Sequence, residues 1–286
     1  MSRNQRRLIA TRAWRALIYL TALLALIPLA LILMEVISKG LPAVSHPEFF
    51  VNTERPFGIP GAGVSHAIVG TLIMVSMASA MSIPVGIIAG IYLVEYGTGR
   101  AADYIRLASD VLVGMPSIAL GLFAYAAFVV PSRQHSAYSA AIALAVLMLP
   151  VVIRTTESAV KLIPGNLRES GLALGLPRWR VSLQLILPAA VPGVVTGALL
   201  AVARASGETA PLLFTSFGNS FFNADPTHGP MSSLTLIVFK DALTPFQQLQ
   251  DQAWGAALTL VVVVLILNLA SRFVLRRQIK RAAQIA

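Results

Sequence analysis

The sequence has 286 residues, of which 56% are hydrophobic and only 12% charged, with a mean hydropathy of +0.76. A soluble domain carries about a quarter charged residues, so this balance argues against a soluble enzyme and for a membrane protein. The net charge of +10 comes without a nucleic-acid-binding motif, and cysteine is absent. The four histidines (His46, His66, His135, His228) are scattered and lack HExxH spacing, so neither a metal nor a nucleic acid is expected.

Crossing a bilayer takes about 20 mostly apolar residues, and six stretches qualify: 15–37, 66–94, 107–130, 137–153, 189–214 and 252–272. The expected fold is therefore all-α, a polytopic membrane protein of six transmembrane helices. The first stretch follows a basic "SRNQRR", as a signal peptide would. Its apolar run exceeds an h-region, however, and "EVISK" (35–39) offers no A-x-A site, so a retained span is expected. The connection 38–65, with "ERPFGIPGAG", reads as an irregular loop. Spans two to four carry Pro84, Pro116 and Pro150, read as ordinary kinks rather than hinges. Gly86 and Gly90 in span two, and Gly114, Ser117 and Gly121 in span three, suit close helix packing. In span five Gly193, Gly197, Ala201 and Ala205 recur every four residues and form a small-residue packing stripe. Within the connection 215–251, "MSSLTLIVFKDAL" (231–243) is apolar but too short to span, as expected of a re-entrant or interfacial helix. There is no clear internal repeat, which gives an inverted-repeat secondary transporter no support.

Lys and Arg fix the expected orientation. Five precede span one, two lie between spans two and three, five between spans four and five, and five follow span six, against four on the other side. Positive residues stay inside, so both termini are expected in the cytoplasm. The same bias explains the net charge as juxtamembrane anchoring to the lipid bilayer.

The expected cytoplasmic loop 157–188 carries the most local information. Asn166 and Glu169 have the spacing of a capping box, Gly175 is a helix stop, and a second helix is expected from Pro177. A short, smooth helix with Ser170, Gly171 and Ala173 suits a groove on another protein, or equally the membrane surface. The residues alone leave both open.

The segment Glu169-Ser170-Gly171, then Gly175, then Leu185-Ile186-Leu187-Pro188 resembles the EAA loop of importer-type ABC transporter permeases, with the family's spacing. Ser170 and Gly171 replace the two alanines, and Leu185 an isoleucine; the glycine should weaken the helix by ~1 kcal/mol. "RASGETAPLLFT" (204–215), "LVGMPSIALGLFAY" (112–125) and "LMLPVVIRTTE" (147–157) are similar to the phosphate-importing, PstA-type branch of that family. The resemblance implies a type I ABC importer permease fold. It divides the chain into a first segment 1–64, a permease core 65–275 and a basic tail 276–286. It further implies an ATPase docking site at Arg168, Glu169, Ser170, Gly171, Leu172 and Gly175. The implied partners are a second homologous permease (a heterodimer), two ATPase subunits carrying ATP-Mg, an extracytoplasmic phosphate-binding protein and inorganic phosphate, in the plasma (inner) membrane of a bacterium. No cofactor is expected on this chain itself. Consistent with a transport subunit rather than an enzyme, it lacks any Gly-Lys dipeptide and so any Walker A loop.

Arg204 and Glu208, four apart in span five, are the charges that composition does not explain. An arginine in a span costs ~2.5–3.5 kcal/mol on insertion scales, so it should face protein or water. The pair could fix helix register, or Arg204 could contact phosphate on the translocation path with Glu208 balancing it and Thr209 beside them. A permease for another oxyanion or small solute, and a stand-alone channel or secondary transporter, are the competing functions.

Overall fold

The computed structural model describes residues 3–285, with side chains for all but 3–6, 8–10, 270–272 and 274–285. Residues 1–2 of the first segment, residue 286 of the expected basic tail, and all of that tail's side chains lie outside the described residues. The described residues form helices α1 (Arg3–Val44), α2 (Glu48–Val51), α3 (Ser65–Glu95), α4 (Arg100–Gly114), α5 (Ser117–Ser132) and α6 (Ala137–Lys161). They continue with α7 (Gly165–Ala173), α8 (Arg178–Ser206), α9 (Ala210–Thr215), α10 (Leu234–Ala242) and α11 (Gln247–Ile285). No strand occurs among them, only an isolated bridge between Phe217 and Met231.

Five helices are long and apolar enough to cross a membrane alone: α1 from Thr11, α3, α6, α8 and α11. The third expected span, 107–130, is corrected in shape, because α4 and α5 meet at 106° instead of forming one rod. Pro116 has no N–H for the carbonyl of Leu112, and Met115 before it is extended (φ −73°, ψ 136°). The expectation that Pro116 merely kinks its helix therefore fails there. Pro84 and Pro150 lie inside unbroken helices.

Span five also differs from its expected limits, 189–214. Its helix starts eleven residues earlier, at Arg178, passes through a π turn at Val181–Ile186, and stops at Ser206. Pro211 leaves the carbonyl of Gly207 without an i+4 donor, so the chain breaks over 207–209 and restarts as α9. Arg204 and Glu208 consequently do not share one continuous helix.

The centre of the bundle is α6, flanked by α3 and α8. A Cβ on Gly86 would lie 2.7 Å from Val152, and one on Gly90 2.6 Å from Thr156, so α3 meets α6 at backbone distance. Across the other face, Gly193 approaches Ala159 and Gly197 approaches Thr155. Met74, Ala78, Leu144, Met148, Val152, Ala201 and Ala205 fill one core cluster. A second, made by Ile91, Val160, Val181, Ile186, Ala190 and Val194, lies towards the end where α3 and α6 finish. That end bears Arg106, Arg154, Lys161 and Arg168 and is called here the basic end.

At the far end, α10 begins at its own cap, the Ser233 hydroxyl accepting the N–H of Leu236 at 3.2 Å. Its Leu234, Leu236 and Ile237 are buried, and the Leu234 N–H donates to Thr71 Oγ1 of α3. By contrast, the most apolar window of α1 buries none of its residues in this chain. Near its last turns α1 meets the bundle, where Gly40 abuts Trp254 and Leu258 of α11.

Candidate functional site

Two groups of residues answer to the sequence motifs, one at each end of α8. At the basic end, α7 begins after Pro164, which is already extended (ψ 142°), and the Leu167 N–H donates to its carbonyl. Asn166 therefore sits inside the first turn, not at the cap, and the capping box expected with Glu169 does not form. The other end is a Schellman stop: Gly175 has φ +79°, its N–H donates to Leu172 O, and that of Leu176 to Gly171 O.

Within α7 the motif residues divide by direction. Glu169, Ser170 and Leu172 are exposed, followed by Leu174 at 81%. Gly171 is buried, and a Cβ there would lie 2.7 Å from Leu185 and 2.9 Å from Val181. The glycine in place of the family's alanine thus seats α7 against the π turn of α8. Arg168 turns inward: its Nε is 2.8 Å from Glu95 Oε1, and its two terminal nitrogens donate to Ile163 O and Val160 O.

Next to α7 lies a charge cluster that the sequence reading missed. Glu157, with a 3% exposed side chain, accepts from Arg106, Arg154 and Lys161 at 3.2, 3.0 and 2.8 Å. Arg154 also pairs with Asp110, and Arg106 donates to Leu93 O. In the sequence, Arg106, Arg154 and Lys161 stand out only as part of the positive bias that sets orientation. The signal was present as Arg154-x-x-Glu157-x-x-x-Lys161, whose spacings put all three charges on one helix face. The cluster pins the amphipathic α4 to the end of α6.

At the other end of α8, Arg204 occupies the last turn, where a cation is favoured by the helix dipole. Its Nε lies 3.6 Å from Glu208 Oε1, with side chains 44% and 18% exposed. Ala201 and Ala205 face the core, while Thr196, Leu200 and Arg204 form an exposed stripe about 100° round the helix from them. The Arg204 guanidinium has no further hydrogen bond or ion pair among the described residues, so most of its five donors remain free for an oxyanion.

The break after Arg204 is tied to its surroundings through its backbone. Glu208 O accepts from Thr235 Oγ1 of α10 at 3.2 Å, and Thr209 O accepts the N–H groups of Leu212 and Leu213. Gly121 of α5 lies against Pro211, where a Cβ would come within 2.7 Å. Beyond it a cavity of about 480 Å³ opens at the far end, lined by Leu213, Phe217, Ser220, Leu236 and Lys240 among others. Glu54 on its wall pairs with Lys240 at 2.6 Å. Asp241, the next residue on α10, is fully buried with both carboxylate oxygens unpartnered. Its pKa is pushed up to about 7, first by burial and then by Glu54, against the opposing effect of Lys240. The described residues contain no group of His, Cys, Asp or Glu able to hold a metal ion.

Residues 82–284 match the family described as "Binding-protein-dependent transport system inner membrane component". Among curated proteins, the phosphate transport system permease protein PstA of Yersinia pestis is 41% identical over 259 residues, covering 90% of this chain and 87% of that one. PstA of Xylella fastidiosa (strain Temecula1) is 42% identical over 243 residues, covering 84% of each. PstA 1 of Mycobacterium tuberculosis (strain H37Rv) is 41% identical, covering 89% of this chain and 84% of that one. Among solved structures, a chain of the MetNI methionine ABC transporter in an inward-facing conformation superposes with a TM-score of 0.58 at 18% identity, covering 75% of this chain and 94% of that chain. That likeness concerns the fold alone, which is the type I ABC importer permease fold.

Proposed function

The chain belongs to the binding-protein-dependent transport system inner membrane component family, and on that premise we propose that it is a permease subunit of an ATP-driven importer of inorganic phosphate. The observation that carries the reading is the run of α8. One unbroken helix links Arg178, beside the seat of α7, to Arg204, whose guanidinium is largely free. Work done on α7 at one end can therefore shift a phosphate-binding group at the other. The phosphate assignment draws on the PstA relatives at about 40% identity.

In this reading both termini and the basic end face the cytoplasm of a bacterium, and the chain sits in the plasma membrane. Glu169, Ser170 and Leu172 on the exposed side of α7 enter a cleft of a separate ATPase. Arg168, Gly171 and Gly175 shape and hold that helix. Two ATPase subunits hold ATP-Mg and perform the hydrolysis, so this chain transports without being the enzyme. A second homologous permease completes the path as a heterodimer, and an extracytoplasmic phosphate-binding protein delivers the ion. Arg204 contacts phosphate, Glu208 compensates the empty site, and Thr209 lies beside them.

Reconstitution tests this directly. The chain, purified with its partner permease and ATPase into liposomes, should take up phosphate only with ATP and the loaded binding protein. ATP-independent uptake, or uptake by the chain alone, would sink the reading in favour of a channel.

A further inference from the structure

Two arginines from different elements hold the basic-end terminus of α3. Arg106 of α4 donates to the carbonyl of Leu93 at 2.9 Å. Arg168 of α7 pairs with Glu95, the last residue of α3, at 2.8 Å, with side chains 24% and 12% exposed. The remaining Arg168 nitrogens grip the carbonyls of Val160 and Ile163, just where α6 ends. One guanidinium therefore joins α7 to the ends of two membrane-spanning helices. On its other side α7 rests on α8 through Gly171 against Val181 and Leu185.

We propose that the Arg168–Glu95 pair is a latch that makes α3 follow α7, so that spans two and five move together during the transport cycle. The proposal rests on the reading of α7 as the ATPase-coupling helix, and it takes Arg168 out of the docking surface. Arg168 and Glu95 are positioning residues. The physical argument is one of stiffness. The seat at Gly171 is an apolar contact, which resists compression but transmits little pull. A hydrogen-bonded, largely desolvated ion pair resists separation and holds its direction, because the planar guanidinium binds three acceptors at fixed angles. Pushing α7 thus reaches α8 through Gly171, whereas pulling it reaches α3 through Glu95.

What α3 carries to the far end is also defined. Its Thr71 accepts the Leu234 N–H, and its Gly70 is pressed against the backbone of Ser232, so α10 rides on α3. α10 in turn holds Glu208 O through Thr235. The Arg204–Glu208 pair is consequently approached from both sides, Arg204 through α8 and Glu208 through α3 and α10. With the latch intact the two helices move together and the 3.6 Å pair travels as a unit, whereas without it α8 would move alone and draw Arg204 away from Glu208.

The test uses the full reconstituted complex and measures phosphate taken up per ATP hydrolysed. Glu95→Gln keeps the side-chain shape and leaves Arg168 its two carbonyls. It should lower that ratio by about tenfold, within the range of ordinary coupling energies, while the ATPase still copurifies in the wild-type ratio. An unchanged ratio overturns the latch. So does loss of ATPase copurification in the variant alone, since the pair would then only build the docking platform. If Glu95→Gln does not accumulate in the membrane, Glu95→Asp is read in the same assay. Its shortened arm should lower the ratio, and an unchanged ratio again overturns the proposal. An ATPase that fails to copurify even with the wild-type chain overturns the underlying reading, and that failure is separately visible.

Discussion

A methyl group on Gly197 would lie 2.0 Å from the Thr155 hydroxyl oxygen and 2.3 Å from its Cβ, so α8 and α6 touch there with no room for a side chain. Thr155 cannot turn away freely, since it is β-branched and its hydroxyl donates to Val151 O at 2.8 Å. Gly197→Ala should therefore force the two helices apart, at ~1–3 kcal/mol, the usual range for overpacking. Gly114→Ala is the control, because nothing lies within 4 Å of a Cβ there. Thermal unfolding in detergent should show a clear loss for the first and none for the second.

Gly175 ends α7 in the left-handed region, at φ +79°, with open space where a Cβ would stand. A side chain there meets backbone strain and no collision. Gly175→Ala should cost ~1–2 kcal/mol of local helix stability, and Gly175→Asn less, because asparagine tolerates this conformation. Hydrogen exchange across 165–176 measures it, with faster exchange expected for alanine than for asparagine.

Glu157 is shared by three cations, and removing it differs from removing any one of them. Glu157→Gln leaves Arg106, Arg154 and Lys161 crowded without their buried counter-charge, at ~1–3 kcal/mol. Lys161→Met removes a half-exposed ammonium and should cost at most ~1 kcal/mol. Comparing the unfolding of the two variants checks the ranking, which equal losses would contradict.

Asp241 makes a prediction about pH. Its folded pKa of about 7 is raised from the ordinary 3.8, so the folded state holds a proton that the unfolded chain releases first. The stability tied to that proton is complete below pH ~4 and is lost as pH rises to about 7, at up to ~1.4 kcal/mol per pH unit. Asp241→Asn should flatten this decline. Above pH 7 the variant should therefore unfold at a higher temperature than the wild type, while near pH 4 the two should coincide.

How much of this was legible in the sequence follows from what each feature depends on. Spans one, two, four, five and six announce themselves through apolar length, which the bilayer requires of any crossing helix. The break at Pro116 does not, because the prolines at 84 and 150 also lie among mostly apolar residues yet leave their helices unbroken. Whether a proline kinks a helix or ends it is decided by what the freed carbonyl and the next segment pack against. The end of α8 was readable in principle from Gly207 and Pro211, but apolar residues on both sides concealed it. At the candidate site, the spacing from Glu169 to Gly175 places the short helix α7 and its glycine stop. The inward turn of Arg168 was not visible, since its partner Glu95 is 73 residues away. Glu157 is hidden for a different reason: juxtamembrane anchoring already accounts for the cations around it, and its partner Arg106 is 51 residues away.

Arg204 remains the residue on which the account turns. The most direct measurement is ATP-driven uptake of labelled phosphate by the reconstituted complex carrying Arg204→Gln, with assembly checked by copurification of the partner permease and ATPase. The account predicts an assembled complex whose uptake falls to the level seen without ATP. Uptake at the wild-type rate by a fully assembled variant would contradict it, and would leave the Arg204–Glu208 pair as a register clamp alone.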